Sequence, residues 1–192
     1  MKTELDFKQV LKRGYIRNEL EYERLLIVYR KLNKLTKKDL ELVNSINLLK
    51  KLILDYEKKV WGKENLVTEN KIKESDTATL IAEQERLFLN NRKNLIRKKL
   101  SEFKINQQDL GLILGHPKSY ISELINGVRP FSQKDLIVIH KLFGIQLEEL
   151  IPTILPEDER KKISMSISGL KNPVFHAQLK KLRKLDIAAL LV

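Results

Sequence analysis

The sequence predicts an all-α protein, and three observations carry that reading. Leu, Ile, Lys and Glu dominate the 192 residues while Gly (7) and Pro (5) are few, a mixture that favours helices. Apolar residues recur at spacings of three and four from about residue 18 onward. Val, Thr and aromatic runs with period two, the mark of strands, are absent. With 42% apolar residues the chain can bury a core, and its length suits one domain or two small ones.

The first helix starts at Asn18, which with Glu21 three residues on reads as a capping box. Leu25, Val28, Leu32 and Leu35 then share one helical face. Thr36 with Asp39 reads as a second N-cap. Behind it Leu42, Ile46, Leu49, Ile53, Tyr56 and Val60 follow at alternating spacings of 4 and 3, an a/d seam. The connection between the two helices is so short that they must be antiparallel neighbours. Residues 1–61 therefore read as an N-terminal helical hairpin. Its seam serves either as a contact to a second copy or partner, or only to let the two helices bury each other.

Residues 62–76, GKENLVTENKIKESD, are polar, contain Gly and have no period, so they read as a linker. Asp76 is placed to cap the next helix. Apolar positions from Leu80 to Phe103 mark that helix, with Asn90-Asn91 as a candidate interruption. Arg92, Lys93, Arg97, Lys98 and Lys99 cluster on it, a pattern most simply read as a solvated face.

Residues 107–130, QQDLGLILGHPKSYISELINGVRP, start one helix, break it, and start another. Asn106 is a good N-cap, and Leu110, Ile113 and Leu114 form an apolar face. Gly115 stands where a C′ glycine belongs, and Pro117 suits the opening turn of a new helix. Ile121, Leu124 and Ile125 form the next apolar face before Gly127. Ser132 with Asp135 caps a further helix carrying Leu136, Ile139, Leu142 and Phe143, stopped by Gly144. A last short turn holds Leu147, Leu150 and Ile151. Two short helices at a steep angle across a three-residue turn make a helix-turn-helix. Folding back lets Leu110 and Leu114 meet Ile121 and Leu124, with the small Gly111 where the helices approach closely. Residues 77–155 thus read as a DNA-binding domain, and 156–192 as an amphipathic tail.

The second helix of the motif presents its outer face to a major groove. The expected DNA-facing positions are Gln107, Lys118, Ser119, Tyr120, Ser122, Glu123, Asn126 and Arg129. Gln107, opening the first helix, suits a phosphate. Lys118 and Ser119, at the start of the recognition helix, suit base edges, Lys being matched to guanine acceptors. Tyr120 reaches a thymine methyl or covers the core. Glu123 accepts from cytosine or discourages wrong sequences, and Arg129 in the following loop clamps a phosphate. For each the plain alternative is an ordinary exposed side chain.

The stretch LGLILGHPKSYISELINGVRPFSQKDLIVIHKLFGI resembles the helix-turn-helix of HigA-type antitoxins, within the larger Cro/C1-like (XRE) group. IRNELEYERLL followed by DLELVNSINLLKKLILDYEKK resembles the leader hairpin of those antitoxins. Glu21-Tyr22-Glu23, Leu40-Glu41-Leu42 and Tyr56-Glu57 match in order. The resemblance covers about residues 15–152. It implies an all-α homodimer that binds double-stranded operator DNA in its own promoter and neutralises a small RelE-like toxin that cleaves mRNA. It also implies DNA-facing roles for Gln107, Lys118, Ser119, Tyr120, Ser122 and Asn126. The chain departs from that pattern in a longer stretch at 61–90 and in the extra tail. The end of the tail, FHAQLKKLRKLDIAALLV, is basic and then apolar. It reads as a toxin or dimer contact, a degradation signal, or a segment packed on its own domain.

The formal charge of +12 and pI of about 9.7 suit an acidic partner such as nucleic acid, but the excess is spread along the chain and locates no site. Without cysteine there is neither a disulfide nor a thiolate metal site. His116, His140 and His176 have no metal-ligand spacing, and no phosphate loop or nucleophile motif occurs, so catalysis, a metal and a cofactor are not expected. The N-terminus lacks the apolar region of a signal peptide and no apolar run approaches a membrane span, so a cytoplasmic location is expected. The competing functional readings are a stand-alone dimeric repressor and an RNA-associated adaptor without sequence preference.

Overall fold

Asp6 opens the first helix by accepting from the Lys8 amide at 3.1 Å, and Gly14, at φ 80°, closes it. The computed structural model describes residues 4–35, 40–62, 67–153, 155 and 157–182. All its regular elements are helices: α1 (Phe7–Arg13), α2 (Glu19–Leu35), α3 (Leu40–Val60), α4 (Glu69–Glu102), α5 (Gln107–Leu114), α6 (Lys118–Ile125), α7 (Gln133–Phe143), α8 (Leu147–Leu150), α9 (Glu157–Gly169) and α10 (Pro173–Leu182). Helix α1 lies ahead of Asn18, where the first helix is expected. Its signal is short: an Asp cap, Phe7 and Val10 three apart, and a stop at Gly14.

Asn18 caps α2 through a 3.0 Å bond from the Glu21 amide. The reciprocal half of the expected box is spent elsewhere: the Glu21 carboxylate accepts from the Arg17 amide at 2.8 Å and pairs with Arg13. The Thr36–Asp39 cap lies outside the described residues. Helices α2 and α3 form the expected hairpin, whose core of Leu25, Val28 and Leu32 meets Ile46, Leu49 and Ile53, closed by Phe7 and Val10 of α1. Two tyrosine–carboxylate bonds clasp the far end: Tyr22 donates to Glu57 at 2.6 Å and Tyr56 to the buried Glu19 at 3.0 Å. Their rings stack at 5.0 Å. Burial and then the bond to a carboxylate push both phenols well above their usual range.

The linker expected at 62–76 is helical from Glu69 onward. Thr68 caps α4 by accepting from the Lys71 amide at 3.3 Å, and Asp76 stands inside the helix instead of at its start. The helix runs unbroken through Asn90-Asn91 for 34 residues, about 50 Å at 1.5 Å per residue. Its N-terminal half shows no apolar period because it packs on α2 through Ala78 and Ala82 and through polar contacts. Arg24 pairs with Glu85, Ser75 bonds Glu19 at 3.2 Å, and Lys71 reaches the Val60 carbonyl at 3.1 Å. Its C-terminal half supplies Ile96 and Leu100 to a second core. One helix therefore serves both regions, and residues Met1–Pro152 form a single compact unit in place of the hairpin, linker and domain read from the sequence.

Arg92 corrects the reading of the basic cluster on α4. It is buried at 2% exposure, bonded to both carboxylate oxygens of Glu4 at 2.7 and 2.8 Å and to the Leu150 carbonyl at 2.9 Å. Phe88 and Phe131 flank its guanidinium. Arg97 and Lys98 remain exposed. The second core gathers Leu110, Leu114, Ile121, Leu124, Ile125, Leu136, Ile139 and Phe143 around Ile96 and Leu100. Ile113, expected on the inner face of α5, is half exposed at 49%.

Thr153–Val192 form a separate unit in which α9 and α10 are described. The apolar end of the tail lies outside the described residues. Among the described residues no helix is long and apolar enough to cross a membrane, and no group of acidic residues and histidines is placed to hold a metal.

Candidate nucleic-acid interface

Helix α5 opens with a complete capping box. Asn106 accepts from the amides of Gln108 and Asp109 at 2.7 and 3.2 Å, and the Asp109 carboxylate accepts from the Asn106 amide at 2.8 Å. Gly115, at φ 76°, ends the helix and turns the chain. The turn is tight: a Cβ on Gly111 would stand 2.8 Å from the His116 carbonyl oxygen and 3.4 Å from Ile121 Cγ2. The His116 amide bonds the Gly111 carbonyl at 2.8 Å, so the turn folds back onto this residue. His116 Nε2 lies 3.0 Å from Asp135 of the α7 capping box, and its ring rests on Tyr120 with centroids 4.8 Å apart. Asp135 is 2% exposed and also accepts from the Ser132 amide at 3.0 Å, which locks α7 behind the motif.

Helix α6 leaves this frame with Pro117 at its N-cap, a residue that offers no capping side chain. The amides of its first turn are left for solvent or for an anion. Lys118 and Ser119 are exposed beside them, and Gln107 is half-buried at the start of α5. Tyr120 and Ser122 are half-buried.

The other expected contacts turn inward. Glu123, 9% exposed, pairs with Arg129, whose guanidinium lies 4.9 Å from the Tyr120 ring centroid and 5.7 Å from that of Phe7. Asn126, also 9% exposed, donates to the Ser122 carbonyl at 2.8 Å. Glu123, Asn126 and Arg129 thus hold the end of the recognition helix to its own fold, and Val128 beside them belongs to the hairpin core. Periodicity marks these positions as an outer face. It carries no information on which distant segment covers that face.

Ser119, Tyr120, Glu123 and Arg129 line one cleft of about 150 Å3 together with Lys8 of α1 and with Leu42 and Ser45 of α3. Lys8 and Ser45 carry no local signal in the sequence, since only the folding of α1 and α3 against α6 brings them there. The seam expected as a dimer or toxin contact is itself spent within the chain. Ile46, Leu49 and Ile53 are buried, Leu42 and Tyr56 pack against the same core, and Val60 is half-buried.

A family model described as helix-turn-helix matches residues 96–150, less than a third of the chain. No curated protein and no solved structure matches the chain. Residues 96–150 are an XRE-like helix-turn-helix, a DNA-binding regulatory domain.

Proposed function

We propose that this chain, with its XRE-type helix-turn-helix at residues 96–150, is the antitoxin of a type II toxin–antitoxin pair. It represses its own operon as a homodimer on a palindromic operator and neutralises a small RelE-like toxin that cleaves mRNA. The observation that carries the DNA-binding half is the start of α6. Lys118 and Ser119 are exposed there beside first-turn amides that no side chain caps. That arrangement suits a phosphate at the helix end and a base edge beyond it. Two such helices, about 34 Å apart, would enter successive major grooves.

The toxin-binding half rests on the resemblance of the N-terminal hairpin to the leader of HigA-type antitoxins. A stand-alone dimeric repressor is the second reading, and one observation supports it. The motif residues of the hairpin are engaged inside the fold, Tyr22 with Glu57 and Tyr56 with Glu19, as is its apolar seam. Co-expression with the small open reading frame beside the gene separates the two. Growth arrest by the neighbour alone, relieved by this chain, supports the antitoxin. A harmless neighbour, with specific operator binding intact, leaves the repressor.

A further inference from the structure

A cleft of about 530 Å3 opens between α2 and α4, within the size range of small-ligand pockets. Arg30, Lys31 and Lys34 reach it from α2, and Arg86 and Lys93 from α4. One carboxylate, Glu83, shares the lining, and Arg86 already holds it. The Lys31 ammonium nitrogen is buried and has no hydrogen-bond partner. Burial, followed by the charges of Lys93, Arg92 and Arg86, pushes its pKa down to about 8, against a smaller opposing pull from Glu4. A buried ammonium with its donors unmet is costly, and nothing in the core requires it.

We infer that this cleft binds a small phosphorylated ligand, with Lys31 donating to a phosphate oxygen and Arg30, Lys34 and Lys93 balancing the remaining charge. Phosphate fits better than carboxylate because the cations approach from two helices, and a tetrahedral, multiply charged group offers acceptors in several directions. A small ligand fits better than a duplex. The backbone of a duplex is met by exposed cations, whereas the Lys31 nitrogen is buried beside the cleft. Asn126 forms part of the wall, and the Lys31 nitrogen lies 3.3 Å from where a Cβ on Gly127 would stand. The occupant therefore sits against the turn that ends the recognition helix. This site is independent of the antitoxin reading and needs no operator or toxin to test.

The experiment is calorimetric titration of the full chain with inorganic pyrophosphate at neutral pH. Saturable single-site binding is expected. Lys31→Met keeps the stem volume and removes the buried charge, so it should fold at least as stably as the wild type. It should weaken pyrophosphate by about tenfold or more, the loss expected for one charge-assisted hydrogen bond. Lys141→Met, at an exposed position on α7, should leave binding unchanged. Pyrophosphate should raise the melting temperature of the wild type and not that of Lys31→Met. Absence of saturable binding, or equal losses in both variants, overturns the proposal. A random-sequence duplex that displaces pyrophosphate, and is itself weakened by Lys31→Met, also overturns it and makes the cleft a contact for DNA backbone. Pyrophosphate bound together with duplex supports the small-ligand site.

Discussion

Lys118 and Lys31 are both cations near the recognition helix, and their surroundings separate their roles. Lys118 is exposed at the first position of α6, where its stem is free to follow a base edge. Lys118→Ala should cost operator binding about 1–3 kcal/mol and relax specificity at one base pair. Fluorescence anisotropy with operator and scrambled duplexes checks this, since an equal loss on both would mean a phosphate contact. Lys31 lies by the turn at the opposite end of that helix, with its folded pKa depressed to about 8, against about 10.4 for an unfolded lysine. Below pH 8 it is charged in both states, and the folded state bears the full cost of burying the charge. Between about 8 and about 10.4 the folded protein has released the proton and the unfolded chain still holds it, so the contribution of Lys31 to stability rises with pH. The stability advantage of Lys31→Met over wild type, measured by urea unfolding, should therefore be largest near neutral pH and shrink by pH 9.5. A constant difference would show that Lys31 does not titrate there.

Helix α3 shows what an amphipathic pattern does and does not state. The spacing of Leu42, Ile46, Leu49, Ile53, Tyr56 and Val60 identifies the buried face, and the fold buries it against α2 and α1. The same pattern is equally compatible with a partner helix from another chain, because a period describes one surface and not the surface it meets. Leu49 is fully buried, so Leu49→Ala should destabilise the protein by about 2–5 kcal/mol. Leu54 is 52% exposed, and Leu54→Ala should stay within about 0.5 kcal/mol. Denaturant unfolding of the two variants checks this, and comparable losses at both positions would place Leu54 in an interface. Helix α4 is the complementary case. Its first two turns look like linker because polar contacts, Lys71 to the Val60 carbonyl and Ser75 to Glu19, hold them in place of large apolar side chains.

Across the first 152 residues, the shared helix α4 and the Arg92–Glu4 pair tie the hairpin to the DNA-binding region. Val128, which follows the recognition helix, packs into the hairpin core, so the two cores have a wall in common. One cooperative unfolding transition should follow. Trp61, the single tryptophan, stands just past α3 and reports on the hairpin, while backbone amides of α7 report on the second core. Both probes should give the same denaturation midpoint, and Leu49→Ala should lower the two together. Separate midpoints would return the molecule to the hairpin, linker and domain that the sequence suggests.

Features carried by neighbouring residues were legible before any folding was considered. Asn106, Ser132 with Asp135, and the glycines 115 and 144 set the helix limits of the motif, since a cap or a left-handed turn is satisfied within a few residues. The same local logic placed Lys118 and Ser119 at the open end of α6. What required the tertiary structure is whatever depends on a distant partner. Arg92 is buried where Glu4, 88 residues away, and the Leu150 carbonyl come to meet it. Glu123 and Arg129 turn inward because Phe7 and the hairpin core cover them. The five cations of the α2–α4 cleft converge only when two helices lie side by side. Local hydrogen-bond geometry can be read along a chain, but burial and electrostatic environment are properties of what the chain folds against.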